Sequence, residues 1–397
     1  MAGNAVITAV TASLCLFSGA SAWPFSKRQA LSIDDIQKQA LMNANKVLDG
    51  TLADGLTRST GCNKNTVAVR KEYGDLTKDE RLEYIRAVKC IRSKPSKLAA
   101  GKYPGAKTRY DDFVVVHMNM TPSVHSTANF MHWHRYYIWA YETALRTECE
   151  YKGYQPYWNW GKYSDLTISP IFNGDEWSMG GNGDYVPHKG GMIGRNIPAG
   201  PGGGCVTKGP FGNLTVSLGP LMGTMDPALN IKKNPRSDGY GDNTRCLRRD
   251  VNNYFVGTSL TPANLASHIT SNTAIGKFQD TLQNDSPTLS AIHSSGHFSI
   301  WGDPGGDVYV SPGEPVFWLH HGQVDRHWWM WQNYLEKDLK ARTSMYEGGT
   351  NWMNPNSAKG KVTDKQWLDV LAPAGKDGLP SNQLFSTTSG PFCYVYA

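Results

Sequence analysis

The chain is 397 residues long, 40% hydrophobic and 11% aromatic, so it can bury a large core. Its net charge of +6 is spread thinly, and the densest basic run, Arg245 to Asp250 ("RCLRRD"), is too short to form a stripe. A nucleic-acid-binding surface needs such a stripe or patch, so that function class is set aside.

The first 22 residues are apolar and close on Ala20-Ser21-Ala22, a small-residue cleavage pattern behind a segment too short to span a bilayer. Residues 1–22 therefore read as a secretory signal peptide. Residues 23–28 read as a short propeptide ending at the dibasic Lys27-Arg28, which leaves 29–397 as the mature chain. No later segment is apolar enough to cross a membrane, and a secreted, extracellular protein is expected. Once Cys15 leaves with the signal, Cys62, Cys90, Cys149, Cys205, Cys246 and Cys393 remain. An even number in an oxidising compartment points to disulfides, and the spacing alone does not choose their pairing. Sequons at Asn119, Asn213 and Asn284 fit a secreted glycoprotein.

Apolar residues recur at helical spacing from Ile33 to Leu48 and from Thr77 to Ile91, each run behind polar cap residues. Phe130 to Glu148 contains neither Gly nor Pro and predicts a long helix. Residues 174–245 are crowded with glycine and proline ("GGMIGRNIPAGPGGG") and predict surface loops with short strands at most. Helical pattern returns from about Pro262 to His297 and from Pro315 to Leu339. The expected fold class is mainly α, with long Gly/Pro-rich loops and few short strands. The loop-rich stretch is a candidate boundary between two domains.

Nine of the eleven histidines fall in two clusters, His117, His125, His132 and His134, then His293, His297, His320, His321 and His327. His293 and His297 stand four apart, so one helical face presents both imidazoles to one point. Pro122 interrupts a helix between His117 and His125, which places these two on separate segments. His134 belongs to the long helix, and His132, two residues before it, faces away and reads as structural. His188 and His268 read as surface residues. Within "FWLHHGQVDRHWWMWQ" (Phe317 to Gln332), adjacent His320 and His321 point about 100° apart and cannot share a role. Periodicity does not choose between them. A metal-bound imidazole donates its other N–H to a carboxylate or carbonyl, and Asp325 lies one turn beyond His321. That favours His321 as a ligand, with Asp325 as its supporting acid. His327 has no metal role.

Two sets of three histidines far apart in sequence invite a two-metal site. There is no HExxH, and no carboxylate sits at ligand spacing, which argues against hydrolytic zinc and di-iron centres. An all-imidazole shell suits copper. Both sets must then meet around one metal pair, which favours a single domain with a helical core. Nothing resembles a phosphate-binding loop, so no organic cofactor is expected.

"HMNMTPSVHSTANFMHWHRYYIWAYE" and "HSSGH" with "SPGEPVFWLHHGQVDRHWWMWQ" together resemble the tyrosinase and catechol oxidase (polyphenol oxidase) family of type-3 copper proteins. The likeness runs from Val69 through "YKGYQPYWNW" to the closing "FCYVYA", and is greatest to the short fungal secreted members. The resemblance implies a four-helix bundle around a dicopper centre. It implies that His117, His125 and His134 hold one copper, and that His293, His297 and His321 hold the other. The implied reaction oxidises o-diphenols to o-quinones with O2 as co-substrate, reduced to water. Small phenols are then the partners, with no nucleic acid and no membrane; the oligomeric state stays open.

Further residues carry implications of the same resemblance. Ser123 stands where some members have a cysteine bonded to the second histidine, so no thioether is expected. Ser294 stands where many tyrosinases have an asparagine that orients a proton-accepting water, which favours diphenols over monophenols. Phe298 shapes the pocket, and Val308 occupies the gate position. Glu314 replaces the usual aspartate, with a small structural effect expected. Asn119 lies two residues beyond a ligand and is expected to be too buried for a glycan. The "YVY" motif closes the catalytic core, with no C-terminal lid domain. The family pairs Cys62 with Cys90 and Cys205 with Cys246, which leaves Cys149 for Cys393. Three alternatives remain: a full tyrosinase that also hydroxylates monophenols, a non-catalytic O2-binding protein of the same copper type, and a secreted zinc hydrolase.

Overall fold

Three long helices begin on a hydroxyl residue whose side chain caps the turn while an acid three positions on reaches back. Ser32 and Asp35 open α1 (Ile33–Leu48), Thr77 and Glu80 open α2 (Lys78–Ser93), and Thr108 and Asp111 open α3 (Arg109–Val124). Such reciprocal caps satisfy two orphan N–H groups and contribute about 1 kcal/mol each. In the computed structural model, Met1 and residues 31–191, 197–286, 289–373 and 378–397 are described. The expected signal peptide and propeptide lie outside the described residues.

Helix α3 corrects the sequence reading, because it runs through Pro122. The proline sits in the last turn, where it forfeits a single N–H bond, so the helix ends only at Val124. His117 and His125 therefore come from one helix, His125 as its C-cap residue. The remaining helices are α4 (Phe130–Glu148), α5 (Pro262–Ser271), α6 (Ile275–Gln283), α7 (Ile292–Ile300), α8 (Phe317–Asn333) and the short α9 (Leu339–Arg342). In α8 every residue from Phe317 to Gln332 is buried, charged ones included, so it is an axis of the core rather than an amphipathic cover. It packs against α4 and α7, and α4 in turn packs against α3. Stacked aromatics glue these helices: Tyr141 of α4 lies on Trp318 of α8 with ring centroids 3.6 Å apart and planes 6° apart.

Strands are few and short. β1 (Ala68–Arg70) pairs in parallel with β8 (Tyr394–Tyr396), Ala68 opposite Tyr394. Antiparallel pairs join β2 (Gly183–Tyr185) to β3 (Gly203–Val206), β4 (Thr215–Val216) to β5 (Arg245–Cys246), and β6 (Lys365–Gln366) to β7 (Leu379–Pro380). Ser32–Ala397 pack as one compact unit, so the loop-rich stretch does not separate two bodies. No helix among the described residues is long and apolar enough to cross a membrane.

The disulfides are Cys62–Cys393, Cys90–Cys149 and Cys205–Cys246. Only the last matches the pairing that the resemblance implied. The reason is topological. Cys393 directly precedes β8, which the parallel ladder sets beside β1 and so near Cys62. Cys90 lies near the end of α2, and Cys149 caps α4, against which α2 packs. Glu314 is buried and forms a two-point ion pair with Arg249, at 2.9 and 2.6 Å. Asn119 is exposed on α3, contrary to expectation, because it faces outward while His117 faces in.

Candidate metal centre

Four helices converge on two adjoining groups of imidazoles. α3 supplies His117 and His125, α4 supplies His134, α7 supplies His293 and His297, and α8 supplies His320 and His321. The sets His117, His125, His134 and His293, His297, His320, His321 each gather one ligand atom per residue within 4.8 Å of one another. The sets also touch, the His134 and His321 rings stacking at 4.6 Å between centroids.

In the first set each Nδ1 faces a backbone carbonyl: His117 that of Tyr309 at 2.9 Å, His125 that of Thr121 at 3.1 Å, His134 that of Phe130 at 2.8 Å. A carbonyl only accepts, so each Nδ1 carries the proton and each Nε2 keeps its lone pair. The Nε2 atoms of His117 and His134 are buried with no hydrogen-bond partner. Leaving two such acceptors unpaired in the interior is costly, unless a cation takes their lone pairs.

The second set is tighter. Nε2 of His297 lies 3.1 Å from that of His293 and 3.2 Å from that of His321, and His293 and His321 are 3.4 Å apart at the same atoms. Three lone-pair nitrogens so placed leave a point about 2 Å from all three, the length of a metal–imidazole bond. His320 belongs to the cluster but not to this triangle, for its Nδ1 accepts the Trp160 indole N–H at 3.1 Å. With His321 favoured as the ligand, the sequence leaves His320 a packing or hydrogen-bonding residue, and the Trp160 contact agrees; its nearness to the other imidazoles had no signal beyond adjacency to His321.

Burial holds all six expected ligands far below the usual histidine range, His125 at about 4 and His297 at about 3. Neighbouring imidazoles push His117, His134, His293 and His321 further the same way. All are neutral at physiological pH, the form that binds metal. Neither set contains a carboxylate, and this donor chemistry fits copper better than calcium, magnesium or a mixed zinc shell.

A cavity of about 440 Å³ opens onto His125, His293 and His297. Ser294, Phe298 and Val308, to which the resemblance gave pocket roles, are among the residues that line it. The Ser294 hydroxyl donates to the Ala291 carbonyl at 3.1 Å. Met222, Thr224 and Trp352 also line the cavity and had no sequence signal, since they arrive on irregular loops. The buried Asp307 carboxylate fixes the first of these loops by accepting from the N–H groups of Leu221 and Met222, at 2.6 and 2.7 Å.

Asp325 does not support His321. Its carboxylate accepts from Arg135 at 2.6 Å and from the phenols of Tyr394 and Tyr396, each at 2.6 Å, and faces Arg70 at 3.5 Å. Two guanidinium groups and two phenols compete for it, and His321 Nδ1 is left buried without a partner. His132 lies in an aromatic cage of Trp328, Tyr346 and Phe385 and is no part of either set. His188 and His268 are not surface residues. The His188 side chain is 4% exposed and pairs with Asp250 at 2.9 Å, and buried His268 shares a hydrogen bond with His327 at 3.0 Å.

Known proteins of this architecture share it along nearly the whole chain. The family model for the common central domain of tyrosinase matches residues 107–334. The tyrosinase-like protein orsC of Emericella nidulans is 34% identical, over 89% of this chain and 93% of its own. The N-acetyl-6-hydroxytryptophan oxidase ivoB of the same organism is 36% identical, over 84% of this chain and 93% of its own. Among solved structures, a polyphenol oxidase variant from Thermothelomyces thermophila superposes with a TM-score of 0.82 at 38% identity, covering 92% of this chain and 97% of the other.

Proposed function

Because the chain belongs to the tyrosinase family of copper oxidoreductases, we propose that it is a secreted dicopper polyphenol oxidase converting o-diphenols to o-quinones. One copper is held by His117, His125 and His134, the other by His293, His297 and His321. The observation that carries this reading is the triangle of Nε2 atoms at 3.1–3.4 Å beside a second imidazole trio with orphaned nitrogens, both bordering one cavity.

When bound, the copper pair supplies redox chemistry with O2 as oxidant, which no side chain here can supply. The protein's own contribution is placement. Carbonyls of Tyr309, Thr121 and Phe130 lock three rings with their lone pairs inward. Phe298 and Val308 give the cavity apolar walls that exclude water and pack a phenol ring. Ser294 argues for diphenols over monophenols: it stands where the family resemblance places a water-orienting asparagine, and its shorter side chain is turned to the Ala291 carbonyl. Secretion through residues 1–22, with trimming after Lys27-Arg28, is supported by three disulfides, which persist in oxidising compartments.

The test is metal analysis joined to oxygen uptake. Two coppers per chain are expected, with prompt O2 consumption on 4-methylcatechol and little on p-cresol. Rapid p-cresol turnover without a lag would move the protein to a full tyrosinase. An O2 adduct with no turnover of either phenol would make it a carrier.

A further inference from the structure

Four imidazoles crowd the second set, yet a copper that must admit O2 and a phenol needs an open position. His320 is well placed to close it. Its ring centroid lies 4.3 Å from that of His297, nearer than the 4.7–5.2 Å that separate the rings of His293, His297 and His321, and 5.5 Å from that of His293. Something must keep it off the metal.

We propose that Trp160 does so, as a positioning residue that fixes the tautomer of His320 and so keeps the second copper open. This rests on the assignment of that copper to His293, His297 and His321. Indole is only a donor, so the 3.1 Å contact from Trp160 Nε1 to His320 Nδ1 makes Nδ1 an acceptor. The neutral ring then carries its proton on Nε2, the opposite of His117, His125 and His134, whose Nδ1 atoms are protonated by their carbonyl partners. In that tautomer neither nitrogen of His320 offers a free lone pair: Nδ1 is engaged by the indole, and Nε2, buried like those of His117 and His134 without a hydrogen-bond partner, holds the proton instead of a lone pair. Trp160 is fully buried on the segment between α4 and β2, held between the His320 and His327 rings at 5.3 and 6.0 Å, so the donor has little room to turn away. Gly296 completes the fit, since a Cβ there would stand 2.2 Å from the His320 ring.

The experiment is long-range nitrogen–proton NMR on histidine-labelled protein loaded with copper and fully reduced, where both metals are diamagnetic; His320→Gln identifies the signal. The expected result is a neutral His320 protonated on Nε2 in the wild type, and a mixed or inverted tautomer in Trp160→Phe. A His320 protonated on Nδ1 in the wild type overturns the proposal without needing any variant to fold. A second measurement uses copper content. The double variant Trp160→Phe with His321→Ala is expected to hold more copper than His321→Ala alone, because the freed His320 can take up the metal. Equal copper in the two overturns the proposal. A wild type that binds no second copper overturns the ligand assignment beneath it, which sets that failure apart.

Discussion

His320 and His321 are adjacent on α8 and equally buried, and their neighbours decide their roles. His321 brings Nε2 within 3.2 Å of His297 and 3.4 Å of His293, whereas His320 meets the Trp160 N–H. His321→Ala is therefore expected to lower copper from two per chain to about one, by removing one of three imidazole donors. His320→Ala is expected to retain both. Copper analysis after dialysis checks this, and the reverse pattern would refute the ligand assignment. The sequence pointed to His321, but for a reason the structure removes. Asp325 stands one turn away along the helix, yet it is drawn to Arg135, Tyr394 and Tyr396. Periodicity reports which residues share a face. It does not report which of several partners, distant in sequence, will win a carboxylate.

Helices with an unbroken apolar repeat were legible in the sequence, α1 and α2 behind a capping box and α4 without one. α3 was not, because a proline in the last turn costs far less than one at mid-helix. Loops 174–245 were legible only as loops, and their most consequential contact joins residues far apart. His188 Nδ1 faces the Val186 carbonyl at 2.8 Å, while Nε2 faces Asp250 at 2.9 Å; Asp250 also accepts from the N–H groups of Gly200 and Gly202. Both acceptors favour the doubly protonated ring. Burial is the largest single influence and lowers the pKa, but the Val186 carbonyl, Asp250 and the more distant Asp226 together outweigh it and raise the pKa. A raised folded pKa stabilises the fold fully below the unfolded value of about 6.5. That contribution is lost as pH rises through the folded value. Lys189 is the nearby cation on the same segment, and its backbone N–H donates to Asp226. Thermal melts of wild type and His188→Gln, compared between about pH 6 and pH 9, should show the wild-type advantage shrinking as pH rises. An advantage that grows with pH would rule out an imidazolium at this position.

Across the whole molecule, the β1–β8 seam and the two central helices meet at one carboxylate. β1 delivers Arg70, α4 delivers Arg135 and Glu142, β8 delivers Tyr394 and Tyr396, and α8 delivers Asp325 at the middle. Burial, with Asp325 adding to it, pushes both phenols above their usual range, so they remain donors at any ordinary pH. Beside them, Cys62–Cys393 clamps the same β1–β8 seam. This closure ties the "YVY" strand to the bundle: Arg70 and the two phenols satisfy a carboxylate that α8 buries. Removing the central charge leaves Arg135 and part of Arg70 uncompensated in the interior, a loss of about 3–5 kcal/mol for a broken buried pair. Asp325→Asn is thus expected to melt several degrees lower, by a similar amount with and without copper, because the carboxylate serves the closure and not His321. Calorimetry on both forms decides between the two roles. A loss confined to the copper-loaded protein, with the metal-free melt unchanged, would restore Asp325 as the support of a metal ligand and contradict the network described here.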